Sequence, residues 1–157
     1  MSFWNRSQLK ELPGNLWVAS ATSFLTDISS EMVINILPLF LSSVLGVKTN
    51  IIGIIEGVAE ATSSVLKVFS GWLSDKLRTR KWLAVAGYGL SALAKPFFYF
   101  ANSWGAVAGV RWADRVGKGI RTAPRDALVA DNVKPEQRGL AFGLHRAADT
   151  AGALLGI

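Results

Sequence analysis

Long apolar segments dominate this sequence of 157 residues. Five of them follow one another with short polar breaks between them, and they cover about residues 15–45, 51–74, 82–101, 104–130 and 139–157. A transmembrane α-helix needs about 20 apolar residues to cross about 30 Å of hydrocarbon. No segment shows the period-two alternation of a membrane-barrel strand. The pattern therefore predicts an all-α membrane protein with about five transmembrane helices.

The composition supports this fold class and excludes several others. Half of the residues are hydrophobic, 18% are charged and the mean hydropathy is +0.32, whereas soluble domains are closer to one quarter charged. A disordered chain would lack this apolar mass. Without cysteine there is neither a disulfide framework nor a thiolate metal site. The lone histidine, His145, has no catalytic or metal-ligand constellation at useful spacing and is predicted to be a polar residue at a helix contact. We therefore expect no enzyme, no metal and no cofactor.

Basic residues are distributed unevenly over the breaks, and this distribution predicts the topology. Every second break, counted from the N-terminal stretch, is basic. These breaks hold Arg6, Lys10, Lys76, Arg78, Arg80, Lys81, Lys134 and Arg138, whereas the others hold only Lys48. The positive-inside rule then places the N-terminus in the cytoplasm and makes the chain a multi-pass protein of the inner (plasma) membrane. A nucleic-acid-binding helical bundle would also be basic, but its helices would need solvated faces, and the first three segments are apolar nearly all round.

The fourth segment has one charged face. At about 100° per residue, its charged side chains fall within an arc of roughly 140°. They are Arg111, Asp114, Arg115, Lys118, Arg121, Arg125 and Asp126. Exposed to lipid they would cost on the order of 20 kcal/mol, so we expect this face to line a polar interior. Arg111, Arg115 and Lys118 are the candidates for contact with a substrate or a counter-charge. Taken alone, the segment also fits an amphipathic helix lying on the inner membrane surface.

Acidic pairs lie on the first two segments. Asp27 and Glu31 are four residues apart on the first, and Glu56 and Glu60 share a face of the second. Two like charges in a low-dielectric medium repel each other and favour protonation, which suits proton uptake. Asp27 and Glu31 are therefore the proton-coupling candidates. The alternative is that they neutralise arginines of the fourth segment, and the two roles are compatible.

Four pairs of glycines have the GxxxG spacing that permits close helix crossings. They are Gly53 and Gly57, Gly105 and Gly109, Gly139 and Gly143, and Gly152 and Gly156. All four pairs are predicted to be packing contacts.

Several stretches resemble motifs of the major facilitator superfamily. Residues 71–83 resemble motif A, which lies in that family's inner loop between helices two and three. The matching residues are Gly71, Asp75, Lys76, Arg80 and Lys81, with Arg78 at the position of the usual central glycine. Residues 134–143 resemble the family's entry to helix five, and Arg111 or Arg115, with the glycines that follow, resembles motif B of helix four. Residues 114–126 are similar to a bacterial subgroup of largely uncharacterised permeases.

This resemblance implies a secondary transporter with twelve helices in two six-helix lobes, of which residues 1–157 are the N-terminal transmembrane lobe. Transport would use alternating access around a central site lined by helices one and four, so the fourth segment would be a span. The motif A charges would form a gating loop that favours one access state. The implied partners are the lipid bilayer and a polar, anionic or drug-like small solute, with coupling to protons or another gradient.

The sequence departs from the family pattern at its end. It stops at Ile157 within the fifth helix, so we expect an incomplete lobe whose C-terminal counterpart comes from the same gene or a separate chain. Ile157 stands where antiporters often carry the proline of a Gly-Pro motif, which leaves an antiporter unsupported. The chain alone is not expected to transport. The alternative function is that of a small or truncated membrane protein with a structural or partner-docking role.

Overall fold

The computed structural model describes Leu9 and residues 11–157, and over these residues it is all-α, as the sequence predicts. Its α-helices are α1 (Gly14–Ser43), α2 (Thr49–Leu77), α3 (Arg80–Ala94), α4 (Trp104–Asn132) and α5 (Arg138–Gly156). Short 3-10 helices at Lys95–Phe100 and Pro135–Gln137 extend α3 and lead into α5. No strand occurs in this part of the chain. Arg6 and Lys10, which the topology prediction uses, lie outside the described residues.

Helix α1 is, by length and composition, the one helix in the described part of the chain that is apolar enough to cross a membrane. Helices α2 and α4 carry many of the charged residues predicted to face an interior, and α3 has only 15 residues. The five-span layout therefore stays a prediction. Large apolar side chains nevertheless remain exposed on several helices, among them Val65 and Val68 on α2 and Trp82 on α3. Such an apolar surface marks contact with lipid or with another protein.

The described chain divides into two compact units. The terminal unit comprises the chain up to Glu31 together with Leu128–Ile157, and the central unit comprises Met32–Ala127. The divisions fall within α1 and α4, so each of these helices contributes one part to each unit.

Apolar side chains form the core of the central unit around the connections between its helices. The buried members are Leu37, Leu41, Val47, Ile52, Ile55, Ala101 and Val107. Gly46 follows α1 with a φ of 65°, a left-handed conformation that glycine adopts without steric cost. This turn allows the chain to reverse from α1 into α2.

Glycines bring α4 into backbone contact with both of its neighbours in the central unit. A Cβ atom on Gly117 would lie 2.7 Å from the carbonyl oxygen of Gly87 on α3. A Cβ atom on Gly119 would lie 2.7 Å from the carbonyl oxygen of Ser63 on α2. The Ser70 hydroxyl also donates a hydrogen bond to the Gly119 carbonyl at 3.0 Å. These contacts hold α4 against α2 and α3 and thereby fix the direction in which its charged face points.

The terminal unit packs α1, the end of α4 and α5 around a second core. Its buried members are Leu12, Leu16, Val129, Val133 and Ala141. A Cβ atom on Gly152 would lie 2.5 Å from the Phe24 carbonyl oxygen, and one on Gly156 would lie 2.6 Å from the Ile28 carbonyl oxygen. These contacts advance together along both helices, so α1 and α5 run in the same direction at close range.

Of the four predicted GxxxG pairs, Gly152 and Gly156 are the pair in close contact among the described residues. The glycines of the other pairs meet no atom within 4 Å of an added Cβ atom: Gly53, Gly57, Gly105, Gly109, Gly139 and Gly143. The close crossings of α4 instead use glycines outside this spacing pattern. The packing prediction is therefore wrong for three of the pairs within the described chain.

Candidate functional site

The charged face of α4 is buried in the central unit. Arg111 is 1% exposed, Arg115 is 5% exposed and Asp114 is 4% exposed. Charged side chains are almost never buried to this extent unless they are paired. The partners of each arginine therefore determine what it can do.

Arg111 is bound by carboxylates from two helices. Its Nη2 donates to Glu56 Oε2 at 2.6 Å and its Nε donates to Glu56 Oε1 at 2.9 Å. Its Nη1 lies 3.7 Å from Asp114 Oδ2. Two parallel hydrogen bonds from one guanidinium to one carboxylate form the strong fork geometry typical of arginine. Arg111 thus links α4 to α2.

Arg115, one turn further along α4, has a weaker partner. Its Nε lies 3.3 Å from Glu60 Oε2, and the Glu60 side chain is 59% exposed. Its Nε and Nη1 atoms are buried and make no hydrogen bond with any described residue, and the same holds for Asp114 Oδ1. Because buried donors are normally satisfied, Arg115 retains capacity for a further acceptor. Lys118 is partly buried on the same side of α4, three residues beyond Arg115.

Arg121 is a buried cation that the sequence does not assign to a role. Its Nη1 donates to Ser91 Oγ at 2.8 Å, and its guanidinium lies 4.6 Å from the centre of the Tyr88 ring. Ser91 in turn donates to the Asp114 carbonyl oxygen at 3.1 Å. The cation–π contact and the hydrogen bonds make this arginine part of the α3–α4 contact. Gly87 and Ser91 are small residues one turn apart on α3, and both contact α4. This pair of small residues is the feature of the sequence that could have indicated a close contact between α3 and α4.

The motif A-like loop contacts the C-terminal half of α4. Arg80 Nη2 donates to Asp75 Oδ1 at 3.0 Å, and Arg80 Nη1 donates to the Ala127 carbonyl oxygen at 3.0 Å. A Cβ atom on Gly71 would lie 3.3 Å from the Ala123 Cβ, so this glycine sits at the same contact. Arg80 therefore connects the end of α2 with the backbone of α4.

The other basic residues of this loop are exposed on the surface of the central unit. Lys76 lies 4.9 Å from the centre of the Trp72 ring, and Lys81 is exposed. Arg78 ends α2 with φ 51° and ψ 29°. This is the left-handed conformation that glycine adopts most readily, so the arginine makes the turn at which the family pattern has glycine.

Asp27 and Glu31 belong to the terminal unit, where both are partly buried on α1. Glu31 lies at the α1–α5 crossing, since a Cβ atom on Gly156 would lie 2.7 Å from its Cβ. Glu56 and Glu60 are the acids that pair with Arg111 and Arg115 in the central unit. Neutralisation of α4 arginines by Asp27 and Glu31 stays a prediction.

Comparisons with known proteins agree with the motifs. The family model of the major facilitator superfamily matches residues 19–157. An uncharacterised MFS-type transporter of Methanocaldococcus jannaschii is 43% identical over 152 residues, which cover 97% of this chain and 38% of the relative. Uncharacterised proteins of Mycobacterium bovis and Mycobacterium tuberculosis are each 34% identical over 113 residues, which cover 71% of this chain and 27% of each relative.

The chain spans well under half the length of these curated relatives. The family match nevertheless extends over most of the chain, from the second turn of α1 to the end of α5. The chain therefore belongs to the major facilitator superfamily, a family of membrane transporters.

Proposed function

We propose that this chain is the N-terminal part of a secondary active transporter that works by alternating access on a polar, anionic or drug-like small solute. The supporting observation is Arg115, a buried guanidinium whose Nε and Nη1 make no hydrogen bond with the described residues. A cation of this kind on a membrane helix marks a functional interior by default. Among these solutes, an anionic group is the ligand that best satisfies such donors.

The two arginines would then have different roles. Arg111 is held by Glu56 and Asp114 and would orient α4, while Arg115 and Lys118 would receive the solute. Glu60, which is largely exposed, would act as the counter-charge that an anion displaces. A hydrogen bond to a charged group contributes about 1.5–3 kcal/mol, enough for an anion to compete with this exposed carboxylate.

Proton coupling would use Asp27 and Glu31. Both carboxyl groups are partly buried on the same helix, four residues apart. The inner loop, with Asp75 bound to Arg80 and Arg80 bound to the Ala127 carbonyl, would favour one access state until these contacts break. In this arrangement the N-terminus lies in the cytoplasm and the five helices cross the inner membrane. The second lobe would come from the same gene or a separate chain.

The proposal is tested by anion-dependent stabilisation of the purified protein. We expect at least one member of a panel of small organic carboxylates and phosphate esters to raise its melting temperature. The Arg115→Gln variant should lose this stabilisation, because it lacks the buried charge that attracts the anion. The exposed Arg138 provides the matched control, and Arg138→Gln should respond as the unsubstituted protein does. A shift of equal size in Arg115→Gln would contradict the assignment, and so would a panel without any effect.

A further inference from the structure

His145 occupies a buried polar position between α1 and α5 in the terminal unit. It is the one histidine of the sequence, and it is 0% exposed. Its Nδ1 lies 3.0 Å from the hydroxyl oxygen of Ser20 on α1, which is itself 4% exposed. On its other side, Nε2 lies 3.8 Å from Asp149 Oδ1, one turn further along α5. The imidazole thus lies between a hydroxyl group and a carboxylate.

The other charged groups of the terminal unit are further from the ring in sequence or more exposed. On α5, the Arg146 side chain is 62% exposed and its Nη1 lies 3.7 Å from Asp149 Oδ2. On α1, the nearest acid is Asp27, seven residues or about 10 Å of helix beyond Ser20, followed by Glu31. The unit also contains Glu11, Asp131, Lys134, Glu136 and Arg138, all of them exposed. Asp149, 14% exposed, is a carboxylate placed to balance a charge on the ring.

This geometry allows the ring to bind a proton without losing its contacts. In the tautomer that carries its hydrogen on Nε2, Nδ1 accepts a hydrogen bond from Ser20. The Nε2 hydrogen then faces Asp149 Oδ1, which is too far away for a hydrogen bond in this structure, and neither atom makes a hydrogen bond with the described residues. A proton from water then binds Nδ1, and the Ser20 hydroxyl rotates so that its oxygen accepts the new N–H. The positive charge of the imidazolium is balanced by Asp149, and Arg146 can release that carboxylate because its own head group reaches water.

We infer that Ser20, His145 and Asp149 form a proton-binding site at the α1–α5 contact, separate from Asp27 and Glu31. Helix α1 would sense the proton directly, because the Ser20 hydroxyl changes from hydrogen-bond donor to acceptor when it binds. The site stands apart from the proposed transport function, since the protonation of the ring is measurable whether or not Asp27 and Glu31 couple protons to transport.

The test uses the fact that the chain has a single histidine. The protein is labelled with ¹⁵N in the imidazole ring, placed in lipid nanodiscs and followed by NMR from about pH 5 to about pH 8, the range in which histidine changes charge. We expect the two ring nitrogens to change together from the neutral Nε2–H form to the doubly protonated form as the pH falls. A ring that keeps one form throughout would overturn the inference.

Three variants identify the partners of the proton. With Asp149→Asn the ring should stay neutral across the range, whereas Asp131→Asn, which removes an exposed carboxylate of the same unit, should leave the titration unchanged. If the Asp149→Asn variant does not fold, the Arg146→Gln variant is used in its place. The Arg146 side chain is mostly exposed, so its substitution should leave the fold intact. Arg146→Gln removes a cation that competes with the ring for Asp149 and should increase the protonated fraction at about pH 6. An unchanged titration in Asp149→Asn, or in Arg146→Gln where that variant replaces it, would exclude Asp149 as the counter-charge and overturn the site.

Discussion

The buried arginines of α4 differ in the number and kind of their partners. Arg111 is hydrogen-bonded to Glu56 and lies near Asp114, Arg121 lies on an aromatic ring and Arg115 retains buried donors. Helical spacing in the sequence predicts that these side chains face an interior, and all three are buried, Arg111 and Arg115 towards α2 and Arg121 towards α3. It does not predict that Glu56 and Glu60 pair with them, because spacing along one helix carries no information about which helix packs against it. The same reason explains why the sequence analysis does not connect His145 with Ser20, which lies 125 residues away.

At this scale the two acids of α2 should differ in their contribution to stability. Glu56→Gln leaves the buried Arg111 guanidinium without its strongest partner and should lower the free energy of unfolding by about 1.5–3 kcal/mol. Glu60→Gln removes a mostly exposed partner and should cost less than about 1 kcal/mol. Thermal unfolding in detergent, followed by tryptophan fluorescence, measures both. Equal losses in the two variants would show that the burial of the pair does not determine its contribution.

Helix α4 is positioned by backbone contacts at glycine. Gly117 and Gly119 allow α3 and α2 to approach on either side, and the serines of those helices donate hydrogen bonds to α4 carbonyl groups. The sequence predicts where helices occur and marks glycines as sites of close approach. It selects the wrong glycines in three of four pairs, because GxxxG spacing gives a smooth helix surface but does not specify a partner.

Two glycines of α4 provide a matched pair of variants for this element. A Cβ atom on Gly117 would lie 2.6 Å from Ser91 Oγ, whereas one on Gly109 would meet nothing within 4 Å. Gly117→Ala should therefore destabilise the protein by about 1–3 kcal/mol through overpacking. Gly109→Ala should be neutral or stabilising by up to about 1 kcal/mol, because alanine is the better helix former. The melting temperatures of the two purified variants measure this difference in stability. A Gly117→Ala variant as stable as the unsubstituted protein would argue against the tight α3–α4 crossing.

For the whole molecule, the motif A-like loop is the most informative part of the sequence. Gly71, Asp75 and Arg80 suggest the family from their pattern alone, and the match over residues 19–157 confirms the family. The all-α class was predictable as well, since it follows from the length of the apolar segments. The substrate was not predictable, because it depends on contacts that the family motifs do not determine.

The predicted topology is testable on this scale because the chain contains no cysteine. Single cysteines at Thr79 and Lys134 should be protected from a membrane-impermeant maleimide in intact cells, because both loops are predicted to be cytoplasmic. A cysteine at Ser103, between α3 and α4, should react without permeabilisation. Reaction of all three positions from the same side would contradict the five-span layout.

The double contact of Arg80 has a mechanical consequence. The carbonyl that it binds, at Ala127, lies on the same helix as Arg115, twelve residues or about 18 Å further along. Pro124 lies between these two positions, and a proline can kink a helix. If α4 tilts without bending at Pro124 when the proposed anion binds at Arg115, the Ala127 carbonyl shifts as well. Arg80 would then have to release either this oxygen or Asp75, so a change at Arg115 would be transmitted to the connection between α2 and α3.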